Sequence, residues 1–134
     1  MADQSVADPL AIGPIEIRLP PEPSLSRVLR LAASGVASLA GFTIDEIENI
    51  KIAVSEVLIA LIEHGAGEPI DIQFSVNDTA FDVTGRTAVQ TFDLAHPDLA
   101  LCRTVLADVC SDFRIDRVNN EVHIWGAVTH EPIA

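Results

Sequence analysis

The sequence is poor in positive charge and in aromatic side chains. It has one lysine and seven arginines against 20 Asp and Glu, which gives a net charge of -12, and it has no tyrosine. A chain this acidic repels phosphate backbones, so general nucleic-acid binding is not expected. A protein partner with a basic surface would be attracted instead.

Cysteine is scarce as well. Cys102 and Cys110 are eight residues apart on one predicted helix, which separates them by about 12 Å along the helix axis. That distance is beyond the reach of a disulfide. Two unpaired thiols are typical of a reducing compartment, so we expect a cytoplasmic protein.

Long hydrophobic runs are also missing. No window approaches ~18 uninterrupted apolar residues, the length that a membrane-spanning helix requires. The first residues, "MADQSVADPLAIGP", have neither the basic region nor the apolar region of a signal peptide. We therefore expect no membrane segment and no signal peptide.

The apolar residues that are present suffice for a core. They make up 49% of the 134 residues, and the mean hydropathy is +0.33. This composition is typical of one globular domain. We predict a flexible N-terminal tail over 1–13, a single domain over 14–130 and a C-terminal tail over 131–134, with the chain from Thr129 onward loosely held.

Periodicity predicts eight elements in the order β-α-α-β-β-α-β-β. The predicted strands are 15–19, 70–76, 80–85, 113–118 and 121–128. The predicted helices are 25–41, ended by Gly41, then 43–64 and 96–110. No clear period covers 86–95, which is predicted to be a loop.

The helix boundaries have recognisable signals. Ser24 is the predicted N-cap of the first helix, and "TIDE" forms a capping box at the start of the second, which Gly65 ends. The apolar stripe predicted to bury the first helix is Leu25, Val28, Leu29, Ala32, Val36 and Leu39.

This order of elements predicts an α+β two-layer sandwich. Strands grouped between helices favour a mostly antiparallel sheet with the helices on one face. The other face would then be wet or used for contacts.

The segment "AVSEVLIALIEHG" carries a resemblance to a known family. Together with the preceding helix and the acidic turn, it resembles the anti-sigma factor serine kinases of the RsbW/SpoIIAB type, in the histidine kinase-like (GHKL) ATPase superfamily. The resemblance covers 15–128 and implies the Bergerat-type ATPase fold. It also implies that Glu56 occupies the position of the general base that activates the attacking serine.

The nucleotide motifs of that family are not matched. The family's Mg²⁺-binding asparagine falls at Ala60, and its adenine-binding aspartate falls near Gly85. Its phosphate-binding glycines fall on "AHPDLAL", which contains His96 and Asp98 and no glycine. The interval that should hold a long lid is short. The resemblance therefore implies a degenerate nucleotide site with no resident cofactor, and ATP and Mg²⁺ only if the chain is an active kinase.

Three roles stay open for Glu56: a relic at the mouth of a shrunken pocket, a working base, or a contact to a partner. Arg27 aligns with a first-helix arginine that contacts partners in the family, and Arg30 lies on the same helix. Arg suits bidentate contact with carboxylates. A metal site from Glu63, His64 and a remote histidine is conceivable, but no ligand spacing is present, so no metal is expected.

The sequence thus predicts a non-catalytic regulator, a pseudokinase that acts in transcription regulation by partner switching. Its expected partners are a sigma factor or a STAS-type anti-sigma factor antagonist, with no membrane or direct nucleic-acid contact. A homodimer through the first helix or the wet sheet face is also implied by the resemblance. The alternatives are an active ATP-dependent serine/threonine kinase that phosphorylates the antagonist, and an adaptor domain of a larger phosphorelay.

Overall fold

A computed structural model describes residues 12–131. The helices are α1 (Ser26–Leu39), α2 (Ile44–His64) and α3 (Pro97–Val109). The strands are β1 (Ile12–Leu19), β2 (Ile70–Val76), β3 (Ala80–Ala88), β4 (Asp112–Val118) and β5 (Glu121–Thr129). This order confirms the predicted α+β class.

The five strands form one sheet in the order β1-β2-β3-β5-β4. Every neighbouring pair is antiparallel. Alternate residues of each strand point to the core and to solvent, as the period of two in the sequence requires. The helices cover the apolar face, and the other face carries polar and charged side chains.

The central helix of the upper layer is α2. It packs against α1 on one side, α3 on the other, and β2, β3 and β5 below. The core between α2 and the sheet is made of fully buried side chains from both layers, among them Ile50, Leu58, Leu61, Ile72, Phe74, Phe81 and Ile124.

The first strand begins earlier than predicted. Ile12 and Gly13, assigned to a flexible tail, belong to β1, and residues 1–11 of that predicted tail lie outside the described part. Pro14 obscured the pattern, since proline is uncommon in strands. It is tolerated here because β1 is an edge strand with an irregularity between Ile12 and Ile15.

The end of the domain is also more ordered than predicted. Thr129 pairs with Ala80 in the sheet, and His130 is buried. The His130 Nδ1 lies 2.8 Å from Glu46 Oε1, and the Glu131 backbone N–H donates to Glu46 Oε2 at 2.7 Å. The expectation of a loose chain from Thr129 is therefore wrong up to Glu131, and residues 132–134 are not described.

The third strand is longer than predicted, because it continues through Arg86 to Ala88. The alternation of buried and exposed residues continues, with Gly85 and Thr87 on the buried side. Neither residue is strongly apolar, so the sequence pattern did not show it. The Thr87 hydroxyl is satisfied by donating to the Pro69 carbonyl at 3.0 Å.

The first helix buries part of the predicted stripe: Leu29 is fully buried, and Leu25, Ala32 and Val36 pack against the core. Ser24 lies in a short 3₁₀ turn, Pro23–Leu25, and makes no side-chain cap. Val28 and Leu39 are 50% and 77% exposed, whereas Ala33 and Ala37 are fully buried. The buried face is therefore shifted from the predicted one: it includes the two alanines and leaves Val28 and Leu39 exposed.

The capping box of α2 forms as predicted. Glu46 N–H donates to the Thr43 hydroxyl at 3.2 Å, and Thr43 N–H donates to Glu46 Oε1 at 2.7 Å. The helix ends at His64, and Gly65 follows as its C-cap. None of the helices in the described part is long and apolar enough to cross a membrane.

Candidate functional site

A groove of about 400 Å³ runs along the outer surface between α1 and α2. Its lining is a mixture of charged and apolar side chains: Arg30, Glu48, Lys51, Ile52, Ser55, Glu56 and Ile59. The α2 residues recur every three or four positions, which places them on one helix face. This groove brings Glu56 and Arg30 into one surface.

Glu56 is half-buried on this face. Burial, and secondarily the nearby Glu63, raise the pKa of the Glu56 carboxyl above its usual range. Within residues 12–131, no hydrogen bond or ion pair to its carboxylate is found. Glu56 is thus a carboxylate held in an unfavourable environment, which is compatible with proton transfer and equally with a partner contact.

Ala60, one turn further along α2, is buried, with 3% of its surface exposed. A methyl group offers no oxygen to a hard cation such as Mg²⁺. The Ala60 side chain also faces the packed interior, so a longer side chain at this position would point into the core.

Gly85 lies on the buried side of β3, directly under α2. A Cβ atom at this position would come within 2.6 Å of Leu61 Cδ1 and 2.7 Å of Val57 Cγ1. Those distances are far below van der Waals contact. The predicted adenine-binding position is therefore occupied by helix–sheet packing and has no space for an aspartate.

The N-terminus of α3 is capped by its own residues. His96 Nδ1 accepts the Asp98 backbone N–H at 3.1 Å, and the His96 carbonyl accepts the Leu99 N–H at 2.9 Å. Pro97 has no N–H to offer. A phosphate binds a helix N-terminus through free amides and the positive end of the dipole, and here the amides are used and Asp98 adds negative charge.

The connection between β3 and α3, residues 89–96, is held against the protein surface. Val89 is buried, and its N–H donates to the Asn120 carbonyl at 2.8 Å. The Asp93 carboxylate accepts the Ala95 N–H at 2.9 Å, and Phe92 packs edge-to-face on His64. These contacts make the segment a short ordered connection.

The two arginines of α1 differ in their surroundings. Arg30 donates from Nη1 to Ser26 Oγ at 3.1 Å and to Ser55 Oγ at 3.2 Å, so it ties α1 to α2. Arg27 is exposed, and within the described range it makes no hydrogen bond or ion pair. Arg27 is consequently the arginine whose guanidinium is available for a partner.

The structure also brings together residues that the sequence did not connect. His64, at the end of α2, and His96 and Asp98, at the start of α3, place potential ligand atoms within 4.8 Å of one another. Short-range ligand spacing gave no signal because the two histidines are 32 positions apart. Glu63, considered as a ligand with His64, is not part of this group.

The three helices lie on one face of the antiparallel sheet and form the two-layer α+β domain that the sequence predicted. A scan against protein-family models finds no match. Comparison with characterised proteins is more informative.

The chain is similar to serine-protein kinases named RsbW. It is 37% identical over 83 residues to RsbW of Bacillus subtilis (strain 168), across 59% of this chain and 52% of that protein. It is 29% identical over 98 residues to RsbW of Bacillus cereus (strain AH187), across 62% of this chain and 61% of that protein. The chain thus spans little more than half the length of these relatives.

Solved structures share the fold. One contains the RsbU and RsbW domains of Rv1364c from Mycobacterium tuberculosis, with a TM-score of 0.72 and 16% identity over 90% of this chain and 34% of that chain. Another is a chain of the SiaB–SiaC complex from Pseudomonas aeruginosa, with a TM-score of 0.61 and 12% identity over 94% of both chains. Together, the relatives and the fold support the RsbW/SpoIIAB-type family that the sequence predicted.

Proposed function

We propose that this protein is an anti-sigma-factor-like regulator that works by binding other proteins and has a degenerate nucleotide site. The observation that carries the proposal is the packing at Gly85, where even a Cβ would collide with α2. The buried Ala60 and the self-capped N-terminus of α3 also support a degenerate nucleotide site. A nucleotide site that lacks its metal, adenine and phosphate contacts loses affinity with each of them.

The proposed binding surface is the exposed side of α1 with the adjoining groove. It offers the free guanidinium of Arg27 beside Leu31, which is 68% exposed, one turn along the helix. A partner would bury the leucine and pair a carboxylate with the arginine, as interface anchors commonly do. The proposed partners are a sigma factor or a STAS-type antagonist, and the proposed compartment is the cytoplasm. Both cysteines of the chain are free thiols, in keeping with that compartment.

A capture experiment tests this surface. The wild-type chain and Arg27→Ala are used to retain partners from the native cytosol, and the retained proteins are identified by mass spectrometry. Retention of a sigma factor or STAS protein that falls severalfold in Arg27→Ala supports the proposal. Arg117→Ala is the matched control, because Arg117 is exposed on β4 and away from α1. If the wild type retains neither class of protein, partner switching is the wrong function.

The second candidate is an ATP-dependent serine/threonine kinase with Glu56 as its base. Two observations favour it: the raised pKa of Glu56 in an open groove, and the serine-protein kinase names of the relatives. A carboxylate whose pKa is raised is a better proton acceptor than an ordinary glutamate, which suits a base that takes the proton of a serine.

Calorimetric titration with Mg-ATP separates the two candidates. We expect no saturable binding at concentrations on the order of 100 μM. Binding tighter than that, lost without Mg²⁺ and lost in Glu56→Gln but retained in the groove control Glu48→Gln, would refute the degenerate site and favour the kinase.

A further inference from the structure

The strongest unexplained cluster lies where the end of α2 meets the start of α3. His64, His96 and Asp98 each offer a ligand atom, and these atoms lie within 4.8 Å of one another. We propose that these three side chains form a binding site for a borderline divalent metal ion such as Zn²⁺. The site does not depend on the proposed partner-binding function or on the groove at Glu56.

The rings are already arranged face to edge. The His64 and His96 ring centroids are 5.3 Å apart at an interplanar angle of 74°. His64 also packs edge-to-face on Phe92 with ring centroids 5.8 Å apart, which restricts the orientation of this half-buried ring. His96 and Asp98 are exposed, so an ion can reach them from solvent. One ligand is therefore fixed and two can adjust.

The donor set selects the class of metal. Two imidazole nitrogens and one carboxylate oxygen suit Zn²⁺, Co²⁺ or Ni²⁺, whereas Mg²⁺ and Ca²⁺ prefer oxygen ligands alone. Tetrahedral Zn²⁺ with bonds of about 2.05 Å separates its ligand atoms by about 3.3 Å. His96 Nδ1 and Asp98 Oδ2 are 3.8 Å apart, so rotation of exposed side chains by small amounts completes the geometry. The fourth position is left for water.

Binding of the ion competes with the cap of α3. His96 Nδ1 accepts the Asp98 N–H, so its neutral ring carries a proton on Nε2. A metal on Nδ1 displaces that hydrogen bond, and a metal on Nε2 requires the proton to move to Nδ1, which also removes it. The metal must therefore outweigh the lost cap, which makes the site weaker than a dedicated structural zinc site. The net charge of -12 favours cation capture and works in the opposite direction.

The mechanical effect of the ion is to join two helices. His64 ends α2, and the other two ligands begin α3, so the ion fastens α3 and the 89–96 connection to the central helix. Any ligand that binds only the folded protein stabilises it by mass action. Metal binding should therefore raise the thermal midpoint, and the rise should depend on His64.

The full chain, purified without a histidine tag, is titrated with Zn²⁺ by calorimetry and with Co²⁺ by visible absorption. We expect one ion per chain and the intense d–d bands of a tetrahedral Co²⁺ site. His64→Ala, His96→Ala and Asp98→Asn should each weaken binding at least about tenfold, since loss of even an outer-shell partner has an effect of that size. His123→Ala is the control, because His123 lies on the sheet and pairs with Glu121.

Three outcomes would overturn the proposal. The first is an absence of saturable Zn²⁺ binding. The second is equal binding by the His64→Ala, His96→Ala double variant that is shown by circular dichroism to be folded. The third is displacement of Zn²⁺ by equimolar Mg²⁺, which would indicate an oxygen-only site on the acidic surface. A thermal midpoint that rises with Zn²⁺ in the wild type and in His123→Ala, and not in His64→Ala, supports it. None of these results decides whether the chain binds Mg-ATP, so the zinc proposal and the proposed function are tested independently.

Discussion

At the scale of single residues, Gly85 is both a tightly packed position and the position near which the adenine-binding aspartate was predicted to fall. Its backbone lies so close to α2 that three side chains, from Val57, Leu61 and Ile72, would contact a Cβ at 3.0 Å or less. The requirement for glycine comes from space, because its φ angle is not in the left-handed region. The three atoms are terminal methyl groups of buried side chains, so they could make room only by repacking within the core.

Gly85→Ala should therefore destabilise the protein. Overpacking of a core typically costs about 1–3 kcal/mol, and urea unfolding would measure the loss. Gly35→Ala is the matched control, because nothing lies within 4 Å of a Cβ at that position in the middle of α1. That substitution should stabilise by roughly 0.5–1 kcal/mol through helix propensity. Equal stability of the wild type and Gly85→Ala would show that the helix and sheet are not in close contact there.

The Glu56 carboxyl allows a second prediction at this scale. Burial and Glu63 raise its pKa above the usual 4.5. A raised pKa in the folded state means that the charged form disfavours folding, so this contribution to stability is full below about pH 4.5 and is lost as pH rises through the folded pKa. Glu56→Gln should thus increase the free energy of unfolding at pH 7 and have little effect at pH 4.

Chemical denaturation at the two pH values measures this difference. Glu48→Gln serves as the control, since Glu48 is exposed in the same groove and pairs with Lys51. A Glu56→Gln variant that is less stable than the wild type at pH 7 would mean that the carboxylate has a stabilising contact after all.

Individual site residues were only partly predictable. The position of Glu56 on α2 follows from helical periodicity, and Ala60 follows one turn later. The closure at Gly85 depends on how closely a helix approaches the sheet, which local sequence does not encode. His64 and His96 come close only because α3 packs beside α2. The two histidines are 32 positions apart, so no periodic pattern in the sequence indicates that they are neighbours.

At the scale of elements, a buried contact between two ionisable side chains joins the end of the sheet to the start of α2. His130, which follows β5, contacts Glu46 in the first turn of α2. Burial alone would raise the pKa of the Glu46 carboxyl. Hydrogen bonds from the Glu131 and Thr43 backbone N–H groups, together with the hydrogen bond and charge of His130, lower that pKa to about 2. His130 in turn stacks on Phe42 with ring centroids 4.3 Å apart.

Glu46→Gln should lower stability at neutral pH by about 1–3 kcal/mol, because the amide cannot accept all of these hydrogen bonds. The folded pKa is depressed, so the contribution of Glu46 is present above the ordinary pKa of 4.5 and disappears as pH falls toward about 2. The stability difference between the wild type and Glu46→Gln should shrink over that interval. Asp45→Asn, one residue earlier and exposed, should show no such convergence.

The elements themselves were largely predictable. Alternation identified the strands, and the Thr43 capping box fixed the start of α2. The buried face of α1 was predicted in part: Leu29 is buried as expected, but ranking by hydrophobicity also selects Val28 and Leu39, whereas the helix contact buries Ala33 and Ala37. The extension of β3 was missed because Gly85 and Thr87 occupy inward positions without the apolar character that the pattern relies on.

At the scale of the whole molecule, α1 exposes an apolar stripe on the side opposite its contact with α2. Leu31 and Leu39 are 68% and 77% exposed, and Gly35 between them leaves a shallow surface. Such a stripe favours association with another protein surface. The homodimer proposed for this type of protein would be one way to cover it.

If α1 forms that interface, Leu31→Glu should convert a dimer to a monomer in sedimentation velocity. A buried carboxylate without a partner disfavours association strongly, typically by several kcal/mol when it remains charged. Leu101→Glu on α3 is a closely matched control, since Leu101 is 67% exposed and lies on a different helix. Unchanged sedimentation of Leu31→Glu would exclude this face of α1 as the dimer interface.

The packing around Ala60 and Gly85 limits how the chain can change at these two positions. Replacing either residue with a polar ligand group would place that group in the core, so the first effect of such a change is a loss of stability. At Gly85, space for a larger side chain would arise only after neighbouring core residues, such as Leu61 or Val57, had become smaller. For the degenerate site proposed above, this means that single substitutions at these positions would not produce a nucleotide-binding arrangement.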